Sequence, residues 1–250
     1  GALTLWTAEA QAAHSAAAEE QHRHEHGQYL KSAVYGGLDG IVTTFAVVAG
    51  VGGAQLGAAV VLILGFANLV ADGLSMAVGD YLSTKAELEY QKAERQREQW
   101  EVENYPEGEK RELVELYVEK GMPEDDAKTI AEIISRHKET WIDVMMVEEL
   151  GIVASGESPV KNAVVTFFAF AIFGFVPLAA FVAVRLVPLL EFDAFTAASL
   201  LTAITLFALG AIKVRITGKN WFKSGLETLL VGGLAAAAAY AVGRLLGGLA

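Results

Sequence analysis

Residues 56–83 read LGAAVVLILGFANLVADGLSMAVGDYLS. The run is long enough to cross a bilayer, which takes about 20 mostly apolar residues. It is not purely apolar, because Asn68, Asp72, Met76 and Asp80 recur at every fourth position. With about 3.6 residues per turn, a helix brings these four to one side. An ionisable group at the centre of a span costs about 2.5–3.5 kcal/mol, so a stripe of two carboxylates, an amide and a thioether reads as a functional track.

Four more apolar runs flank this one, at 30–52, 160–184, 194–212 and 226–249. Each is long enough to span, and together they predict an all-α polytopic membrane protein with five transmembrane helices. The composition agrees: 53% of residues are hydrophobic and the mean hydropathy is +0.38. The lipid bilayer is therefore the expected partner. There is no cysteine, which excludes disulfides and thiolate metal ligands. The net charge of -11 argues against nucleic acid, whose phosphates require a basic surface. No Walker sequence, nucleophile elbow or Gly-rich nucleotide loop is present, so neither an enzyme nor a nucleotide-driven pump is expected.

Between the second and third runs lies a water-compatible insert, residues 85–155. From Lys85 to Gly151 it holds nineteen acids and ten Lys/Arg, a balance of -9, whereas the rest of the chain has eleven acids and nine bases. A field of that sign attracts cations. The insert reads as three helices. With no Gly or Pro between Tyr81 and Tyr105, the second span continues into the insert until Pro106 breaks it. A second helix starts near Glu107 and stops before Gly121. A third region begins at Pro123-Glu124-Asp125-Asp126 and ends at Gly151, either unbroken or divided near His137. The chain thus divides into an N-terminal tail (1–28), spans one and two (29–84), the insert, and spans three to five (156–250).

Positive charge marks the cytoplasmic side. The loop between spans four and five carries Lys213, Arg215, Lys219 and Lys223 with no acid. The N-terminus and the insert are then cytosolic, and five spans leave the C-terminus on the opposite side.

Further candidate residues follow from spacing. In the first span, Asp39 sits within Gly36-Gly37-Leu38-Asp39-Gly40, where small neighbours admit another helix close to the carboxylate. Gly36/Gly40 and Gly243/Gly247 are small-xxx-small pairs, a weak cue for dimerisation. In the insert, Glu98/Glu101 and Glu109/Glu112 are each three apart, so each pair shares a helix face. The two pairs could hold metal across the Pro106 turn, with Met145, Met146 and Glu149 clustered at the end of the third region. Carboxylates alone suit hard cations, whereas a thioether biases a site toward first-row transition metals. His22, His24 and His26 alternate near the N-terminus, as metal-binding tracts and polar tails both do. Glu19 and His22 form a lone Glu-x-x-His, and the missing second copy disfavours a di-iron oxidase.

The ordered motifs Gly37-Leu38-Asp39-Gly40, Ala71-Asp72-Gly73-Leu74-Ser75-Met76-Ala77 and Gly79-Asp80-Tyr81-Leu82 resemble those of the vacuolar iron transporter family. So do Arg97-Glu98-Gln99-Trp100-Glu101, Pro106-Glu107-Gly108-Glu109 with Glu112, and Met145-Met146-Val147-Glu148-Glu149-Leu150-Gly151. The resemblance covers residues 29–249. It implies a homodimer of five-span protomers, in a vacuolar membrane if eukaryotic or an inner membrane if bacterial. Such proteins export Fe²⁺ from the cytosol in exchange for H⁺, with Mn²⁺, Co²⁺ and Zn²⁺ as further candidate ions and no prosthetic group or nucleotide. Carried over by position, Asp39 and Met76 line the transport path at the dimer interface. Glu98, Glu101, Glu109, Glu112, Met145, Met146 and Glu149 bind metal in the insert. The competing expectation is a membrane-anchored metal-binding or sensing protein that does not transport.

Overall fold

A computed structural model of the chain describes residues 21–153, 156–187, 193–212 and 220–248. Eight helices and no strand occur among the described residues: α1 (Gln21–Gly53), α2 (Ala58–Asn104), α3 (Pro106–Glu119), α4 (Glu124–Ile134), α5 (Lys138–Glu148), α6 (Pro159–Leu186), α7 (Ala194–Ile212) and α8 (Trp221–Gly247). Five of them, α1, α2, α6, α7 and α8, are long and apolar enough to cross a membrane. Helix α1 starts at Gln21, so His22, His24 and His26 begin a helix. The residues before position 21, the basic segment 213–219 and Glu191 lie outside the described residues.

The chain forms two compact units, one of residues 1–81 with 158–250 and one of residues 82–157. In the first, α1 is the hub and packs on α6, α7 and α8. Small residues make this possible. A Cβ on Gly36 would come within 2.7 Å of the Thr166 carbonyl oxygen, and one on Gly40 would strike the Phe170 carbonyl. On the other flank of α1, a Cβ on Gly243 would overlap the Gly50 carbonyl, and one on Gly247 would meet Ala54 Cα at 2.6 Å. Both small-residue pairs are thus consumed inside one protomer, on α6 and α1, and the dimerisation cue read from them is withdrawn. The spacing was legible, but a glycine pair does not say whose backbone it admits. Introducing Val at Gly243 forces two backbones apart and is expected to cost about 1–3 kcal/mol, read as a lower melting temperature in detergent.

Helix α2 stands differently. It meets α6 through side chains, with Gly65 beneath Leu178, the Phe66 and Phe175 rings 6.2 Å apart, and Gly73 against Phe167 and Phe170. Ile63, Leu64, Val70, Leu74 and Val78 are exposed on its other side, as lipid-facing residues are. Within α6, Pro177 is buried mid-helix, which neighbouring helices make tolerable in a span.

The second unit has its own apolar core: Val102, Leu113, Ala131, Trp141, Ile142, Met145 and Met146. Pro106 opens α3, where its missing N–H is harmless. Gly121, at φ 94°, closes that helix, with the Met122 amide donating back to the Tyr117 carbonyl. The third region is two helices rather than one. Residues 135–137 break it without Gly or Pro, and His137 adopts φ -122°, ψ 87°, turning Trp141 and Ile142 into the core.

Candidate metal centre

Three helices of the second unit converge their glutamates. Glu98 and Glu101 lie on α2, Glu109 and Glu112 on α3, and Glu149 caps the end of α5. The helices are pinned by ion pairs outside the cluster: Arg95 of α2 to Glu139 and Asp143 of α5, Lys138 to Glu103, and Lys120 to Glu148. Two triads result, Glu98/Glu101/Glu109 and Glu109/Glu112/Glu149, each with carboxylate oxygens within 4.8 Å of one another. Glu109 belongs to both. Every sequence-predicted glutamate ligand is therefore in one place.

The cluster is more than a solvated acidic face. Glu98 is 1% exposed and Glu109 5%, and each has one buried carboxylate oxygen without a hydrogen-bond partner. Burying a carboxylate unpaired is costly, so such groups are paired, neutralised or bound to a cation. Burial pushes the Glu98 and Glu109 carboxyls up to about 7, with repulsion from neighbouring glutamates adding to it. Burial, then repulsion from Glu112 and Glu101, raises Glu149 as well. Mutual repulsion of this kind is what a divalent cation relieves.

Met145 and Met146 are not an exposed pair. Both are buried in the core of the unit, at 0% and 7% exposure. Met145 stands one helical turn before Glu149, whose amide donates to the Met145 carbonyl at 3.0 Å.

In the first unit, Asp39, Asn68, Asp72, Met76 and Asp80 are all half-buried. The charges of Asp39 and Asp72 lie close enough to repel, which joins α1 to the stripe of α2. The Thr166 hydroxyl donates to Asp80, tying the end of the stripe to α6. Thr44 is fully buried with its hydroxyl unpartnered, as is the amide nitrogen of Asn68. Neither threonine carries a periodic signal in the sequence: Thr166 is a lone hydroxyl in its apolar run and Thr44 one of an adjacent pair with Thr43.

A family profile described as the VIT family matches residues 30–244. The chain belongs to the VIT family. Its VIT relatives include a vacuolar iron transporter of Toxoplasma gondii, 45% identical over 234 residues, which span 91% of this chain and 78% of that protein. The vacuolar iron transporter of Plasmodium berghei is 36% identical, with 91% and 86% covered. Vacuolar iron transporter 1 of Arabidopsis thaliana is 30% identical, with 90% of each chain covered.

A metal that bound these raised carboxyls would have to displace their protons. Glu98 and Glu109, half-protonated near pH 7, must be ionised to act as ligands. Affinity for Fe²⁺ is expected to fall as pH drops from 8 to 6, by up to about tenfold per unit for each proton released, measured by calorimetry under anaerobic conditions. Stability without metal should run the other way. A carboxyl whose folded pKa is raised contributes stability below its unfolded value of 4.5, and that contribution is lost as pH rises through about 7. The metal-free protein should therefore melt higher at pH 5.5 than at pH 8.

Proposed function

We propose that this chain carries Fe²⁺ out of the cytosol, into a vacuole-like compartment or across the cell membrane, in exchange for protons. The observation that carries the reading is the acidic track within the spans, where Asp39 on α1 and Asp72 and Asp80 on α2 are all half-buried and the charge of Asp72 bears on Asp39. Two carboxylates at membrane depth match the charge of one divalent cation. Emptied of metal, they are suited to take up protons, which gives the counter-ion a place in the same path. Met76, between Asp72 and Asp80 on the stripe, supplies a thioether that favours Fe²⁺ over Mg²⁺ or Ca²⁺. Mn²⁺, Co²⁺ and Zn²⁺ suit the same ligands. The names of the relatives, all vacuolar iron transporters, support iron as the cargo.

In this reading the insert is cytosolic and its glutamate cluster, together with Met145 and Met146 of the same unit, gathers the metal before it enters the track. The basic residues between spans four and five support that orientation. The protein works as a homodimer. Half-buried carboxylates do not face hydrocarbon, and α2, loosely held by its own protomer, needs a second copy to seal its stripe.

Fe²⁺ entry into sealed proteoliposomes tests the reading. Flux dependent on this protein supports it. Tight metal binding with no flux for any first-row divalent ion would instead assign the chain to metal sensing. Cross-linking across α2 in native membranes tests the dimer, and a protein that stays monomeric while transporting would remove it.

A further inference from the structure

Most lysines and arginines of the second unit pair with groups outside the carboxylate cluster. Arg95 is held by Asp143 and Glu139, Lys138 by Glu103, Lys120 by Glu148, Lys110 by Glu107 and Glu132, and Lys128 by Glu124. Arg111 donates to the Glu107 carbonyl. Arg97 pairs with the cluster itself. Its Nε donates to Glu101, a member of the first triad, at 3.2 Å. One helical turn back, Glu94 lies 3.9 Å from Nη1 of the same guanidinium. The Arg97 charge also bears on Glu98, Glu109 and Glu149, and it is the opposing charge that all three share.

We infer that Arg97 is a competing cation built into the metal site, paired with Glu101 while the cluster is empty and shifted to Glu94 when a divalent metal enters. The inference rests on reading the cluster as a metal site, which the two buried, unpartnered carboxylate oxygens of Glu98 and Glu109 support independently of the acid count.

The chemistry follows from charge and reach. An arginine cannot ligate a metal and does not deprotonate. Five glutamates without a cation would repel one another when empty and hold a divalent ion tenaciously when filled. Arg97 moderates both states. It neutralises part of the empty cluster, and it charges a penalty for metal entry, because Glu101 must exchange a guanidinium for the ion. Glu94 makes the exchange easy, since the side chain is long, mostly solvated and has a second carboxylate within reach on the same helix. As the metal leaves, Arg97 returns to Glu101 and discourages rebinding. A site that loads a transporter needs that reversibility, whereas a storage site does not.

The test is Fe²⁺ titration of the full-length protein in detergent under anaerobic conditions, comparing wild type with Arg97→Gln and Arg97→Lys. Arg97→Gln is expected to bind about 3- to 10-fold more tightly, the size appropriate to one solvent-screened charge beside a dication. Arg97→Lys, which keeps the charge, should stay near wild type. The gap between wild type and Arg97→Gln should shrink in 1 M salt, where the screening length falls to about 3 Å. A merely structural arginine would give no such salt dependence. If wild type binds Fe²⁺ and Arg97→Gln binds equally or more weakly, Arg97 is an organiser of Glu101 and the inference is overturned. If wild type itself shows no Fe²⁺ binding, the metal-site reading fails and this one falls with it, and the two failures are told apart by the wild-type titration alone.

Discussion

Asp39→Asn is expected to abolish Fe²⁺ flux in proteoliposomes while leaving the protein folded. The carboxylate of Asp39 makes no hydrogen bond or ion pair among the described residues; its backbone carbonyl accepts from the Thr43 hydroxyl, which the substitution preserves. Its neighbour in charge is Asp72, which repels it. Removing that charge therefore relieves strain in the empty protein, and the melting temperature should hold or rise. For a dication in the track the consequence is opposite, because one positive charge is left uncompensated among apolar helices. An unpaired charge at span centre costs about 2.5–3.5 kcal/mol, so the rate should fall by about 100-fold or more. Retained flux would remove Asp39 from the path. Loss of flux together with loss of folding would make it a packing residue.

Glu109→Gln should have the largest effect on metal binding, because Glu109 belongs to both triads. Loss of an outer partner of a metal ligand alone costs about 10–100-fold in affinity, so loss of a shared ligand should exceed about 100-fold. The fold should tolerate it well. Glu109 is nearly buried, and burial holds its carboxyl half-protonated near neutrality; glutamine mimics the neutral form in shape. Calorimetry gives the affinity and a melting curve the stability. An affinity within threefold of wild type would mean that the metal, if bound, does not sit at Glu109.

Much of the fold is legible in the sequence. Apolar runs as long as 194–212 leave little choice of structure in a bilayer, and α7 spans Ala194–Ile212 as the run predicts. The four-residue recurrence of Asn68, Asp72, Met76 and Asp80 is a local property of one helix, so it too survives translation into three dimensions. The glutamate pairs were visible by spacing. Their meeting with Glu149 depends on α5 folding back beside α2, where Val102 shares a buried core with Trp141, Ile142 and Met145 and Arg95 pairs with Glu139 and Asp143. Arg97 stands inside the Arg97-Glu98-Gln99-Trp100-Glu101 motif, but an arginine among glutamates has the sequence pattern of any solvated helix face. The burial of Met145 and Met146 is a tertiary property that spacing does not reveal: both join the core with Trp141 and Ile142. Glycine pairs likewise name a close approach without naming the partner.

The most direct test of the central claim is to record Fe²⁺ and internal pH together in sealed proteoliposomes with an imposed proton gradient. Fe²⁺ is expected to move into the acidic interior, with protons leaving as it enters and both movements lost in Asp39→Asn. Fe²⁺ entry at a rate indifferent to the gradient, with no opposing proton flux, would contradict exchange.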